Sequence, residues 1–145
     1  MDSSYLDIEI TNSAYLPQEI ENQIEFENVL SSNELFPVVN RNNFLIHSKE
    51  QFAHVFGATS SDFDDDFFEE YSLFIWYNYC NNPKYDKKVT EMGIENNKLL
   101  MNKFNYYTTY YDFETKPWTS FYKIKKSDIC DIESVFICNL VMTDG

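Results

Sequence analysis

Tyr71-Ser72-Leu73-Phe74-Ile75-Trp76-Tyr77-Asn78-Tyr79-Cys80 is the most apolar continuous run in the chain and lies at its centre. Read as a strand, it points Leu73, Ile75, Tyr77 and Tyr79 to one face and Phe74, Trp76, Asn78 and Cys80 to the other. Both faces are apolar over the first half, so the strand is expected to be covered on both sides there. Ten residues are too few to cross a membrane as a helix, which takes ~20 apolar residues. The crowding of aromatic rings suits a pleated surface better than a buried helix.

Outward from this run the chain alternates short apolar segments with turn signals. Upstream lies an acidic segment, with six acids between Asp62 and Glu70. Before it, Phe44-Leu45-Ile46 reads as a short strand within Asn43–His47. That strand leads into a helix with Ser48 as N-cap, Gln51 three residues on, and Phe52, Val55 and Phe56 as its buried stripe. Gly57 stops the helix. Further upstream, Tyr5–Ile10 alternates cleanly, and Ile24–Leu30 reads as a strand because its acids alternate with its apolar residues.

Downstream, Asn81-Asn82-Pro83 is a turn signal. Lys87–Glu95 and Lys98–Phe104 form an expected hairpin, with Asn96-Asn97 as its two-residue turn. Asn105–Phe113, Thr119–Lys125 and Ser134–Met142 complete the set. The expected fold is α+β and mainly antiparallel β. It is a single sheet-rich domain over residues 1–145, a sandwich- or barrel-like meander with one short capped helix.

Composition narrows the function. The net charge of −13 disfavours nucleic acid, whose binders neutralise phosphates with Lys and Arg. It equally disfavours an anionic membrane surface. Arg41 is the sole arginine, so bidentate phosphate or carboxylate clamps are scarce. Residues 1–40 carry eight acids and no Lys or Arg, whereas residues 84–126 hold nine of the eleven basic residues against five acids. A basic patch on an acidic body would steer an acidic partner. Cys80, Cys130 and Cys138 contain no CxxC and the chain has two histidines, which argues against zinc. No signal peptide or membrane-spanning segment is visible. The expected setting is therefore either cytoplasmic, or extracytoplasmic after removal of an export signal.

Three constellations deserve weighing. Asp62, Asp64 and Asp66 have the 1-3-5 spacing of a calcium loop. Phe67 stands where that loop needs Gly, however, and Leu73 where it needs Glu. A looser set of Asp62, Asp64, Asp65 and Asp66 competes with a solvated run that keeps the adjacent strand soluble. His47-Ser48 lacks a nucleophile elbow, and Ser48 is explained as a cap. The tyrosine ladder Tyr106, Tyr107, Tyr110 and Tyr111, with Trp118 nearby, has rings on both faces. One set belongs to cross-strand packing, and an exposed set would suit a protein interface or stack on sugars.

The order of these elements resembles the C-terminal domain of the protease-complex-subunit (PrcB-like) family. The resemblance rests on the Phe-centred strand at Ile24–Leu30, on Phe44-Leu45-Ile46 running into the Ser48–Phe56 helix, on Asp66-Phe67 or Asp62-Phe63 ahead of the central strand, and on FYKIKK at 121–126. It spans roughly residues 24–126. Where the family has a Gly-rich turn after its central strand, this chain has Tyr79-Cys80-Asn81-Asn82-Pro83. The resemblance implies a non-enzymatic accessory domain of an exported or lipid-anchored bacterial protein, and it carries over no catalytic residue.

The combined expectation is an interaction domain that binds another protein through Tyr107, Tyr111 and Trp118, with Lys84, Lys87 and Lys88 at the rim. No cofactor, nucleic acid or membrane insertion is expected, and the oligomeric state is not legible. A carbohydrate- or small-ligand-binding module using the same rings is the alternative. A hydrolase with an unrecognised site stands third.

Overall fold

The structure is a computed structural model that describes residues 4–13, 16–107 and 115–143. In chain order the strands and helices are β1 (Glu9–Ser13), β2 (Phe26–Ser32), β3 (Asn43–Ile46), α1 (Lys49–Phe56), α2 (Asp65–Glu70), β4 (Tyr71–Cys80), β5 (Lys87–Glu95), β6 (Lys98–Tyr107), β7 (Lys116–Lys125) and β8 (Ser134–Thr143). Short 3-10 turns occupy Ser4–Asp7 and Lys126–Asp128. The described residues fall into two compact units. The first is drawn from segments 1–8, 25–78 and 117–130, and the second from 9–24, 79–116 and 131–145.

The first unit is built on a sheet of order β2-β7-β4-β3. The expectation for the central run holds, because Ser72, Leu73, Phe74, Ile75 and Trp76 are all buried. One face of the sheet carries Leu73, Ile75, Phe44, Ile46 and Phe121, and these pack with Phe52, Val55 and Phe56 of α1. Phenylalanine rings make this core. Phe52 lies 4.6 Å from Phe56 and 5.5 Å from Phe63, and Phe121 lies 5.4 Å from Phe63 and 5.5 Å from Phe56. Helix α1 begins at Ser48, whose hydroxyl accepts from the Gln51 N–H (3.2 Å). The Gln51 carboxamide oxygen reaches back to accept from the His47 N–H (2.7 Å), one residue before the Ser48 N–H that the anticipated box would use. Gly57 closes the helix in the left-handed conformation (φ 72°).

The second unit is a sheet of order β1-β8-β6-β5. β5 and β6 form the expected hairpin. Glu95 pairs with Lys98, and Asn96 and Asn97 take φ values of 50° and 63°, which a two-residue turn of this hand requires. The outer edge of β5 is partly covered by residues 22–24. There the Ile24 N–H donates to Met92 O (2.9 Å) and the Ile94 N–H to Asn22 O (3.0 Å).

The fold class is therefore β-rich with antiparallel pairing predominant, and neither sheet closes into a barrel. Four details differ from the sequence reading. β8 runs parallel to both β1 and β6, so the path is not a simple meander. Parallel neighbours need a crossover, and the chain supplies it by passing through β7 of the first unit between β6 and β8. The first strand starts later than Tyr5, because a 3-10 turn carries the Tyr5 ring into the phenylalanine core. The acidic run holds a second helix, α2, whose N-cap Asp64 accepts from the Phe67 N–H (3.0 Å). Finally, Asn105–Tyr107 continue β6 rather than starting a new strand, and residues 108–113 of that expected strand lie outside the described residues.

Candidate functional site

Of the residues anticipated for binding, Lys84, Lys87 and Lys88 lie in the second unit, around the turn where the chain leaves β4 and enters β5. Asp86 organises this turn. Its carboxylate accepts from the N–H groups of Asn81 (3.1 Å) and Asn82 (2.9 Å). Asn82 Oδ1 accepts from the Lys84 N–H (3.0 Å), and Asn82 O accepts from Tyr85 (3.1 Å) and Asp86 (2.8 Å). With its backbone groups occupied in this way, the turn presents side chains outward. Tyr85 is 69% exposed and Tyr79, near the end of β4, is 58% exposed. Lys84 and Lys88 are also exposed, and Lys88 Nζ lies 5.8 Å from the centre of the Phe104 ring.

The other expected residues are placed differently. Lys87 is buried, so it is not a rim residue. Tyr107 ends β6 with its backbone paired to Thr143. Tyr111 lies outside the described residues. Trp118, on β7 of the first unit, is half-buried, and among the described residues its buried indole Nε1 has no hydrogen-bond partner. Among the described residues the tyrosines that stand exposed, Tyr79 and Tyr85, were not singled out from sequence. The signal for Tyr85 was present, since it follows Asn-Asn-Pro-Lys in a turn, where side chains face solvent.

Lys103 on β6 is a further unexpected feature. It is 1% exposed, and burial holds its ammonium pKa well below the ordinary lysine value, with the neighbouring Lys87 charge lowering it further.

In the first unit a cavity of about 510 Å³ opens beside the end of α2. Glu69, Glu70, Tyr71, Lys125, Lys126, Ser127 and Cys130 line it. The Cys130 thiol is exposed and donates to Ser127 O (3.5 Å). Glu69 and Glu70 set negative charge around it, and Lys125 and Lys126 positive charge. Nearby, His47 Nδ1 lies 2.7 Å from Ser72 Oγ, and Lys126 Nζ donates to His47 O (2.9 Å). Ser72 is fully buried, so its hydroxyl orients the imidazole and is closed to a substrate. Among the described residues no group of three or more His, Cys, Asp or Glu side chains is arranged to hold a metal ion. Asp64 is instead a helix cap, and Asp65 and Asp66 form the first turn of α2. Among the described residues no helix is long and apolar enough to cross a membrane.

No protein-family model matches the chain, and neither a curated protein nor a solved structure matches it.

Proposed function

We propose that this chain is a non-enzymatic accessory domain that binds another protein, and that the turn between β4 and β5 carries the contact. The supporting observation is the exposure of Tyr79 and Tyr85 (58% and 69%) around a turn whose backbone is pinned by Asp86. Tyrosine offers large rigid contact area with a polar tip, and a pre-ordered turn loses little entropy on binding. Lys84 and Lys88 give the surface a positive rim on a chain of net charge −13, which favours an acidic partner. The resemblance to PrcB-like accessory domains supports the same role and suggests an extracytoplasmic setting.

The test is capture from the native host by the wild-type chain and by the double variant Tyr79→Ser/Tyr85→Ser. The variant is expected to lose about tenfold or more of the captured protein, the size of effect set by aromatic anchors. Its Tm is expected to stay unchanged, because both rings are exposed. Undiminished capture by the variant would overturn the assignment.

A further inference from the structure

Among the described residues, Asn78 and Trp118 carry polar atoms that are buried and have no hydrogen-bond partner: Oδ1 and Nδ2 of the carboxamide, and Nε1 of the indole. Asn78 is only 8% exposed. The two residues stand on β4 and β7, ten-residue strands that are neighbours in the first unit's sheet. Phe74 lies 6.4 Å from Tyr122, and Lys123 Nζ lies 4.5 Å above the Tyr71 ring. These contacts bring the end of β7 to the beginning of β4, so the strands run antiparallel. Four residues beyond Phe74 is Asn78, and four residues before Tyr122 is Trp118. Strand alternation puts all four side chains on one face, with Asn78 and Trp118 as neighbours across the two strands. Thr119 Oγ1 also lacks a partner but points to the other face, so it does not belong to this pair.

Buried polar groups in folded proteins are satisfied, and a bare carboxamide beside a bare indole N–H would carry its full desolvation penalty. We propose that Asn78 and Trp118 together bind one internal water molecule. The donor set fits. Water accepts from the indole Nε1–H and from Asn78 Nδ2–H and donates to Asn78 Oδ1. That makes three hydrogen bonds, the number internal waters typically make. Both residues are uncharged, which suits a neutral guest over an ion. A single water requires a space of only ~30 Å³, far less than a metabolite does. Asn78 is thereby a water-holding residue in an otherwise apolar strand.

The experiment is a water–protein ROE measurement on the intact chain, with the Trp118 indole Hε1 resonance assigned by Trp118→Phe. A cross-peak between that proton and water is expected in the wild type and is expected to vanish in Asn78→Leu, which removes two of the water's three partners. The amide spectrum of the Leu variant checks that the fold is kept. A missing cross-peak in the wild type overturns the proposal. So does a cross-peak that persists in a folded Asn78→Leu chain, because the water would then reach the indole without Asn78.

Discussion

His47 is held neutral by its surroundings. Burial pushes its imidazole pKa below the ordinary value of 6.5, and the Lys126 ammonium, bonded to the His47 carbonyl, lowers it further. The unfolded chain therefore takes up a proton at a higher pH than the folded one. Above pH 6.5 neither form is protonated and the folded state loses nothing. As pH falls from there through the lower folded pKa, the unfolded state is favoured and stability is lost. An NMR titration is expected to give a His47 midpoint below that of an unstructured histidine, and Lys126→Met is expected to move it upward. A midpoint unaffected by Lys126→Met would remove that charge from the account. Gly93 makes a second residue-level case. A Cβ at this position would fall 2.6 Å from Asn22 O and into Ile20, because residues 20–24 lie against β5. Gly93→Ala is expected to cost about 1–3 kcal/mol, as overpacking does, read as a lower urea midpoint with unchanged slope.

At the scale of elements, the two helices show what sequence can and cannot disclose. Helix α1 was legible from Ser48, Gln51 and Gly57, because caps are local and need no tertiary information. Helix α2 was hidden because Asp62–Glu70 is dominated by charge. Its information lies in Phe63, Phe67 and Phe68, which gain meaning only when the ring cluster of the first unit surrounds them. The Asn96-Asn97 turn was likewise readable, since few residues other than Gly accept φ > 0 easily. The burial of Lys87 and Lys103 was not, because lysine on an alternating strand ordinarily marks the wet face. The exposed turn proposed for partner contact was half legible. Lys84 and Lys88 came from charge patterning, whereas the exposure of Tyr79 depends on where the covered part of β4 ends. Both N-caps are expected to contribute similarly. Ser48→Ala and Asp64→Ala should each cost about 1 kcal/mol, equivalent to a Tm lower by about 2–4 °C for a chain of this size. No change for Asp64→Ala would mean that α2 is held by its phenylalanines alone.

For the whole molecule, the decisive property is the order in which the chain visits its two units. Each unit is assembled from three separate segments, so neither can be excised as one piece of sequence. Residues 1–78 contain β2, β3, both helices and most of β4, yet they lack β7, which lies between β2 and β4 in the sheet. Without it, two strand edges have no partner, and the ring cluster loses Phe121, which touches Phe52, Phe56 and Phe63. Contacts this distant in sequence form only after a long loop closes, which argues against any early stable half. The fragment 1–78 is therefore expected to show a collapsed amide chemical-shift range and no cooperative melting. The cysteines offer a matched check on the intact chain. Cys130 is exposed, whereas Cys80 and Cys138 are each 3% exposed, and none of the three is joined in a disulfide. One thiol should react promptly with a disulfide reagent, and two more only as fast as the second unit opens. If fragment 1–78 instead melted cooperatively, β7 would be dispensable to the first unit, and the crossing of the chain between the units would carry no structural obligation.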